Sequence, residues 1–244
     1  MQKEILHEYA TTINGILIKA NIAKKGEEYF CPSCKDKFIL KNSGKTGKGS
    51  RRPHFAHNNL EGSCSHESYL HNTFKLKTLE LIKDKISKGL PLNINWKCNS
   101  CNKEHNANFS VFDVKAEYNM KDRTPDIALF NQLGNVYGVI EIIYKHPPED
   151  GAINFYNANN IALVQVIISS DDDLENVENK IRNPASVNLC IVPRVQNNRL
   201  PNKTRNSVPH YRSSNNMPSD LLDNPQKYYS RNGKFYKKRP WRKK

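Results

Sequence analysis

Apolar and polar positions alternate loosely through ILHEYATTINGILIKANIA, residues 5–23, and the pattern turns at Asn14-Gly15. This predicts a strand-rich opening. From His66 to about Lys88 the period becomes helical. Leu70, Phe74, Leu81, Ile82 and Ile86 share one side at ~100° per residue, Ser65 is a candidate N-cap with Ser68 close behind, and Gly89-Leu90-Pro91 ends the run. SVFDVKAEY, PDIALF and VYGVIEIIY then read as strands, the last two joined by NQLGN, and His146-Pro147-Pro148 breaks the third. EDGAINFYNANN reads as a short helix, and IALVQVII as a strand buried on both faces. Strand, helix and strand in that order predict a βαβ unit whose last two strands are parallel. DDDLENVENKI is a candidate for one more short helix. From Pro193 onward, Asn, Pro, Ser, Lys and Arg dominate with little apolar periodicity, so the tail is expected to be disordered.

The 244 residues are 37% hydrophobic and 25% charged, with mean hydropathy −0.76, enough for one moderate core. No apolar run approaches the roughly 20 residues of a membrane span, and the start, MQKEILHEYATT, lacks the layout of a signal peptide. A cytoplasmic protein is therefore expected, with no membrane partner. The net charge of +14 is unevenly spread: residues 194–244 hold 14 Lys/Arg against 2 Asp/Glu, a net +12. A second basic stretch, residues 35–52, holds seven Lys/Arg and one acid. Such blocks point to nucleic acid as the partner.

The cysteines are 31, 34, 64, 98, 101 and 190. Two C-x2-C pairs in a chain without an export signal suit zinc better than disulfides. Cys31, Cys34, His54, His57, Cys64 and His66 offer six candidate donors where zinc needs four. Cys31, Cys34, His57 and Cys64 are preferred because they use all three nearby thiols, with His54 as the alternative. Cys98 and Cys101 offer half of a second zinc site. His105 is a third candidate there and distant Cys190 a fourth; a partly filled or lost site is the competing reading.

A carboxylate pair follows. Asp126 opens one strand and Glu141 sits among apolar residues in the next, where a carboxylate is expensive unless paired or bound to metal. If the hairpin centres between Leu133 and Gly134, Asp126 falls opposite Glu141 and both are expected to point to one face, where oxygen ligands suit Mg²⁺. Glu67, His71 and Lys75, at i, i+4 and i+8, fall on the arc of the helix that carries Leu70 and Phe74. Three ionisable groups on an apolar arc, facing a sheet with two acids, point to an active site.

The run YFCPSC, HFAH and CSHES-x2-H-x3-K resembles the start of competence protein CoiA-like proteins, and PDIALFNQLGNVYGVIEIIYKHPPE is similar to their nuclease core, of the PD-(D/E)XK restriction-endonuclease-like class. The resemblance covers about residues 25–170. It implies a small mixed sheet with flanking helices. Together with the residue patterns this gives a mixed α+β fold: a β-rich zinc-finger domain at 1–65, a restriction-endonuclease-like core at 66–192 with a Cys-pair insertion at 95–106, and the basic tail at 193–244. The resemblance also implies Mg²⁺- or Mn²⁺-dependent cleavage of phosphodiester bonds, DNA favoured. Asp126, Glu141 and the Ile142 carbonyl then match the cation ligands, and Glu67 and His71 the helix positions. The chain departs at Ile143, where the motif has a lysine; Lys145 and Lys75 are the candidates to replace it. The alternative is a nucleic-acid-binding module that kept the fold and lost the chemistry.

Overall fold

A computed structural model describes residues 7–42, 52–58 and 64–189, together with the backbone of 228–231 and 234–237. The chain divides into two units, residues 1–193 and 194–244.

The first unit opens with an antiparallel sheet of short strands: β1 (Tyr9–Thr11), β2 (Leu17–Lys19), β3 (Tyr29–Phe30), β4 (Lys37–Lys41) and β5 (His54–His57), in the order β2-β1-β3-β4-β5. Gly15, at φ +75°, takes the left-handed conformation that the predicted Asn14-Gly15 turn requires. Ala10, Tyr29, Phe38 and Phe55 form a small core here, closed by Tyr69 from the following helix.

That helix, α1 (His66–Ser87), starts where expected. The Ser65 hydroxyl accepts the Ser68 amide, and Gly89 at φ +64° lies just past the end. Its apolar side, with Leu70, Phe74, Leu79 and Ile82 buried, covers one face of a five-stranded mixed sheet ordered β12-β11-β10-β9-β8. The strands are β8 (Asp113–Ala116), β9 (Ile127–Phe130), β10 (Val136–Ile143), β11 (Ala162–Ile167) and β12 (Ser186–Val187). Strands β10 and β11 are parallel, connected through α2 (Asp150–Ala158), as the strand–helix–strand order predicts. Tyr156 of α2 packs with Val139 and Leu163 on the other face, so the sheet is covered on both sides.

Between α1 and β8 the Cys98/Cys101 pair lies in the connection of a regular hairpin, β6 (Leu92–Lys97) with β7 (Glu104–Phe109), so that element extends beyond 95–106. Leu92, Ile94, Trp96 and Phe109 join the main core, and β6 of the hairpin lies against α3 (Val177–Arg182) and β12. DDDLENVENKI is not one helix. A 3-10 turn at Asp171–Glu175, capped at its start by Asp173 accepting the Ser169 and Ser170 amides, stops at Asn176, and α3 follows.

The tail reading needs a correction at one place. Within the second unit, β13 (Tyr228–Arg231) and β14 (Lys234–Lys237) pair antiparallel, with Arg231 opposite Lys234. The two residues between them in sequence are Asn232-Gly233, the dipeptide that favours a two-residue hairpin loop. The rest of the expected disordered tail lies outside the described residues.

Tyr69 is the joint between the small sheet and α1. Its hydroxyl accepts the Tyr9 amide at 2.9 Å and donates to the Tyr9 carbonyl at 3.1 Å, fully buried. Tyr69→Phe keeps the packing but leaves two buried backbone groups unsatisfied. Urea unfolding should register a loss of roughly 1–3 kcal/mol; an unchanged midpoint would exclude this role.

Candidate functional site

Two clusters of thiols and imidazoles form among the described residues. Cys31, Cys34, His57 and Cys64 bring one donor atom each to within 4.8 Å of one another, with Cys31 Sγ 3.6 Å from Cys64 Sγ and Cys34 Sγ 3.2 Å from His57 Nε2. A tetrahedral zinc with Zn–S near 2.3 Å has S–S edges of roughly 3.8 Å, so the group suits a metal such as zinc. This is the preferred donor set. The other two histidines are engaged elsewhere: His54 is buried with Nδ1 on the Arg52 carbonyl, and His66 bonds Asp171. His7 packs against Phe38, Tyr69 and His57; burial, then the neighbouring histidines, lower its pKa to about 3. That ring is neutral at physiological pH. The second cluster is Cys98, Cys101 and His105, with Cys101 Sγ 3.2 Å from His105 Nε2. Strand pairing sets it up, because His105 lies opposite Trp96, next to the turn that carries both thiols. Cys190 lies outside the described residues.

The carboxylates meet at one end of the large sheet. Ile127 pairs with Ile140 and Ala128 with Val139, the register that places Asp126 opposite Glu141. A bulge between Val136 and Gly138 absorbs one residue near the loop, where Asn131 Oδ1 accepts the Leu133 and Asn135 amides. Beyond Ile127 the ladder stops. The Ile142 amide donates instead to Asp126 Oδ2 at 2.9 Å, while the Asp126 carbonyl takes the Glu117 amide. The strands part here, so the expectation that both acids share one face needs correcting: Asp126 is gripped from the α1 side and Glu141 from the α2 side. His71 Nε2 lies 3.1 Å from both Asp126 Oδ2 and the Ile142 carbonyl, so it must carry the proton and donate. Lys75 is buried on the same helix face, its Nζ 2.7 Å from Glu117 Oε1 and 3.6 Å from Asp126 Oδ1. The Tyr156 hydroxyl donates to Glu141 Oε1 at 2.9 Å, and Glu141 Oε2 lies 3.5 Å from the Asp126 amide nitrogen.

This setting drives the two acids apart. Burial opposes the charge of Asp126, yet the hydrogen bond and charge of His71, the Ile142 amide and Lys75 hold its carboxyl below the usual range. Burial first, and then the Asp126 charge, push Glu141 up to about 7. Glu67 and Lys145, expected from the sequence on the same face as the acids, pair with each other at 3.1 Å at the exposed rim and make no hydrogen bond or ion pair with either acid. Sequence reasoning missed Glu117 and Tyr156. Glu117 follows a strand end and adopts φ +48°, and Tyr156 looks in sequence like one more core aromatic.

Comparison with known proteins bears on the thiol cluster. Residues 17–67 match the family model of competence protein CoiA, N-terminal domain. That is about one fifth of the chain, and it contains Cys31, Cys34, His57 and Cys64 but ends at Glu67, before His71, Asp126 and Glu141. No curated protein and no solved structure matches. Among the described residues no helix is long and apolar enough to cross a membrane.

Elemental analysis of the purified chain should find zinc. Cys64→Ser should remove one equivalent and lower the melting temperature, and Cys101→Ser should act on a separate equivalent; metal-free protein that melts normally would refute the assignment. The raised Glu141 makes a second measurement informative. Between pH ~4.5 and ~7 the unfolded chain ionises this group while the folded chain resists, so stability falls as pH rises through that window. With no divalent cation added, Glu141→Gln should match wild type near pH 4.5 and be more stable by roughly 2–3 kcal/mol above pH 7. A difference that does not grow with pH would contradict the burial argument.

Proposed function

We propose that this protein is a divalent-cation-dependent nuclease that hydrolyses phosphodiester bonds, DNA being the favoured substrate. The observation that carries the reading is the meeting of Asp126, Glu141 and the Ile142 carbonyl where the strands part, with His71 and Lys75 facing them from α1. Partly buried acids of which one resists ionisation, through burial first and then through the charge of the other, are expensive unless a ligand uses them. Their donors are hard oxygens, which fit Mg²⁺ or Mn²⁺. Such a cation would polarise the scissile phosphate and activate the attacking water. Asp126, Glu141 and the Ile142 carbonyl would hold it.

The chain's own groups have distinct tasks in this reading. His71 fixes the orientation of Asp126 and would direct its imidazole to the same point as the Ile142 carbonyl. Lys75 is the better replacement for the motif lysine, because it is buried beside Asp126 whereas Lys145 is exposed and engaged by Glu67. Its ammonium would neutralise charge developing on the phosphate. The basic stretch 35–52 and the tail would supply nonspecific attraction to the backbone. The words of the matched family point to a competence role; recombination, repair or phage defence would use the same chemistry.

Ile143 favours the second reading, a nucleic-acid-binding module without catalysis. The two separate in a cleavage assay on single- and double-stranded DNA and RNA with Mg²⁺ or Mn²⁺. Cleavage should be abolished by Asp126→Ala and reduced about 10²-fold or more by Lys75→Met, with Lys145→Met much closer to wild type. Wild-type protein inert towards the whole panel would leave the binding module, and cleavage untouched by Asp126→Ala would refute this site as the catalytic one.

A further inference from the structure

A cleft of about 380 Å³ opens on the α2 side of Glu141, walled by Lys121, Arg123, His146 and Tyr156. Its outer wall is the connection between β8 and β9, and that connection is built. The Glu117 amide donates to the Asp126 carbonyl, the Met120 amide to the Arg123 carbonyl at 2.8 Å, and Asn119 Oδ1 accepts the Lys121 amide. Met120 packs against the Val139, Tyr156 and Leu163 cluster, which ties the loop to the sheet. Arg123 is half-buried, yet among the described residues its guanidinium has no hydrogen bond or carboxylate partner. Room has been left for it: a Cβ on Gly151, in the first turn of α2, would lie 2.7 Å from Arg123 Nη2. A Cβ there would meet only the tip of the Arg123 side chain, so an alanine at 151 would make the guanidinium shift.

We propose that this cleft binds a phosphate of the substrate strand next to the one that is cut, with Arg123 its principal ligand, Lys121 a second cation and the His146 ring a further polar group on the same wall. The inference rests on the nuclease reading and names how that site takes its substrate. A half-buried guanidinium without an acceptor is matched by phosphate, which it grips through two parallel hydrogen bonds. Two carboxyls also line the cleft. Asp122 is exposed, and Glu141 is occupied by Tyr156 at the inner end. Glu141 and Ile142 line the cleft, whereas His71, Lys75 and Asp126 do not, so the two regions suit successive phosphates of one strand rather than the same one.

Fluorescence anisotropy of the full-length protein with a short labelled DNA strand, without divalent cation, tests this apart from catalysis. Arg123→Gln should weaken binding about tenfold and lower the slope of log K against log[salt] by roughly 0.7–0.9. Arg123→Lys should restore the slope but not the affinity. Gly151→Ala displaces the guanidinium without changing charge, and should raise KM with kcat near wild type. Asp126→Ala should bind DNA at least as tightly as wild type, so loss of cleavage and loss of this phosphate contact are read separately. An Arg123→Gln chain that melts like wild type and keeps its affinity and slope overturns the proposal. Should that variant melt early, Arg123→Lys and Gly151→Ala decide, and wild-type affinity in both overturns it equally.

Discussion

The site depends on one exchange of hydrogen-bond partners. At Ile142 the amide stops bonding to a neighbouring strand and bonds to the Asp126 carboxylate. A backbone donor in the sheet must find an acceptor, and the side chain supplies one where strand pairing ends. That bond fixes Asp126, frees the Ile142 carbonyl to accept His71, and lets the strands part so that groups from both covering layers reach the same end of the sheet. Ordinary pairing continued past Ile127 would leave neither Asp126 nor that carbonyl available.

Helix α1 couples this arrangement to the thiol cluster. Cys64 is followed directly by the N-cap Ser65, and Tyr69, one turn into the helix, holds both backbone groups of Tyr9. His71 and Lys75 come from the next turns of the same rigid element. A metal that fixes Cys64 therefore fixes the start of the helix, and through it the two side chains that face Asp126. In this arrangement the cluster has a mechanical role even though it lies away from the acids. The Asn72 amide, within reach of Ser33 between the two zinc-candidate thiols, adds a second tie.

Much of this was legible in the sequence wherever chemistry followed a period. The helical arc carried Glu67, His71 and Lys75 together with its apolar residues, and the hairpin arithmetic placed Asp126 opposite Glu141. What it missed came from irregular backbone. The parting of β9 and β10 depends on a side chain replacing a ladder bond, which no alternation pattern encodes. Glu117 reaches Lys75 from a left-handed position, and Lys145 drifts to Glu67 because regular strand ends at Ile143. The Asn232-Gly233 signal was present but sat in a segment whose composition argued for disorder.

In the nuclease reading proposed above, Ile143 in place of the motif lysine has an electrostatic account. Ile143 lines the cleft that already holds Lys121, Arg123 and His146. Position 143 is buried, so a lysine there would lose the solvation of its charge, with Lys121 and Arg123 as well as Asp122 and Glu141 nearby. The α1 side, in contrast, presents Asp126 and Glu117 and needs a positive charge to balance them; Lys75 provides it, bonded to Glu117 and close to Asp126. An apolar residue on the strand and a buried lysine on the helix thus give each side of Glu141 its own cation. In that reading a lysine at 143 in place of Lys75 would leave Asp126 and Glu117 without the cation that now faces them.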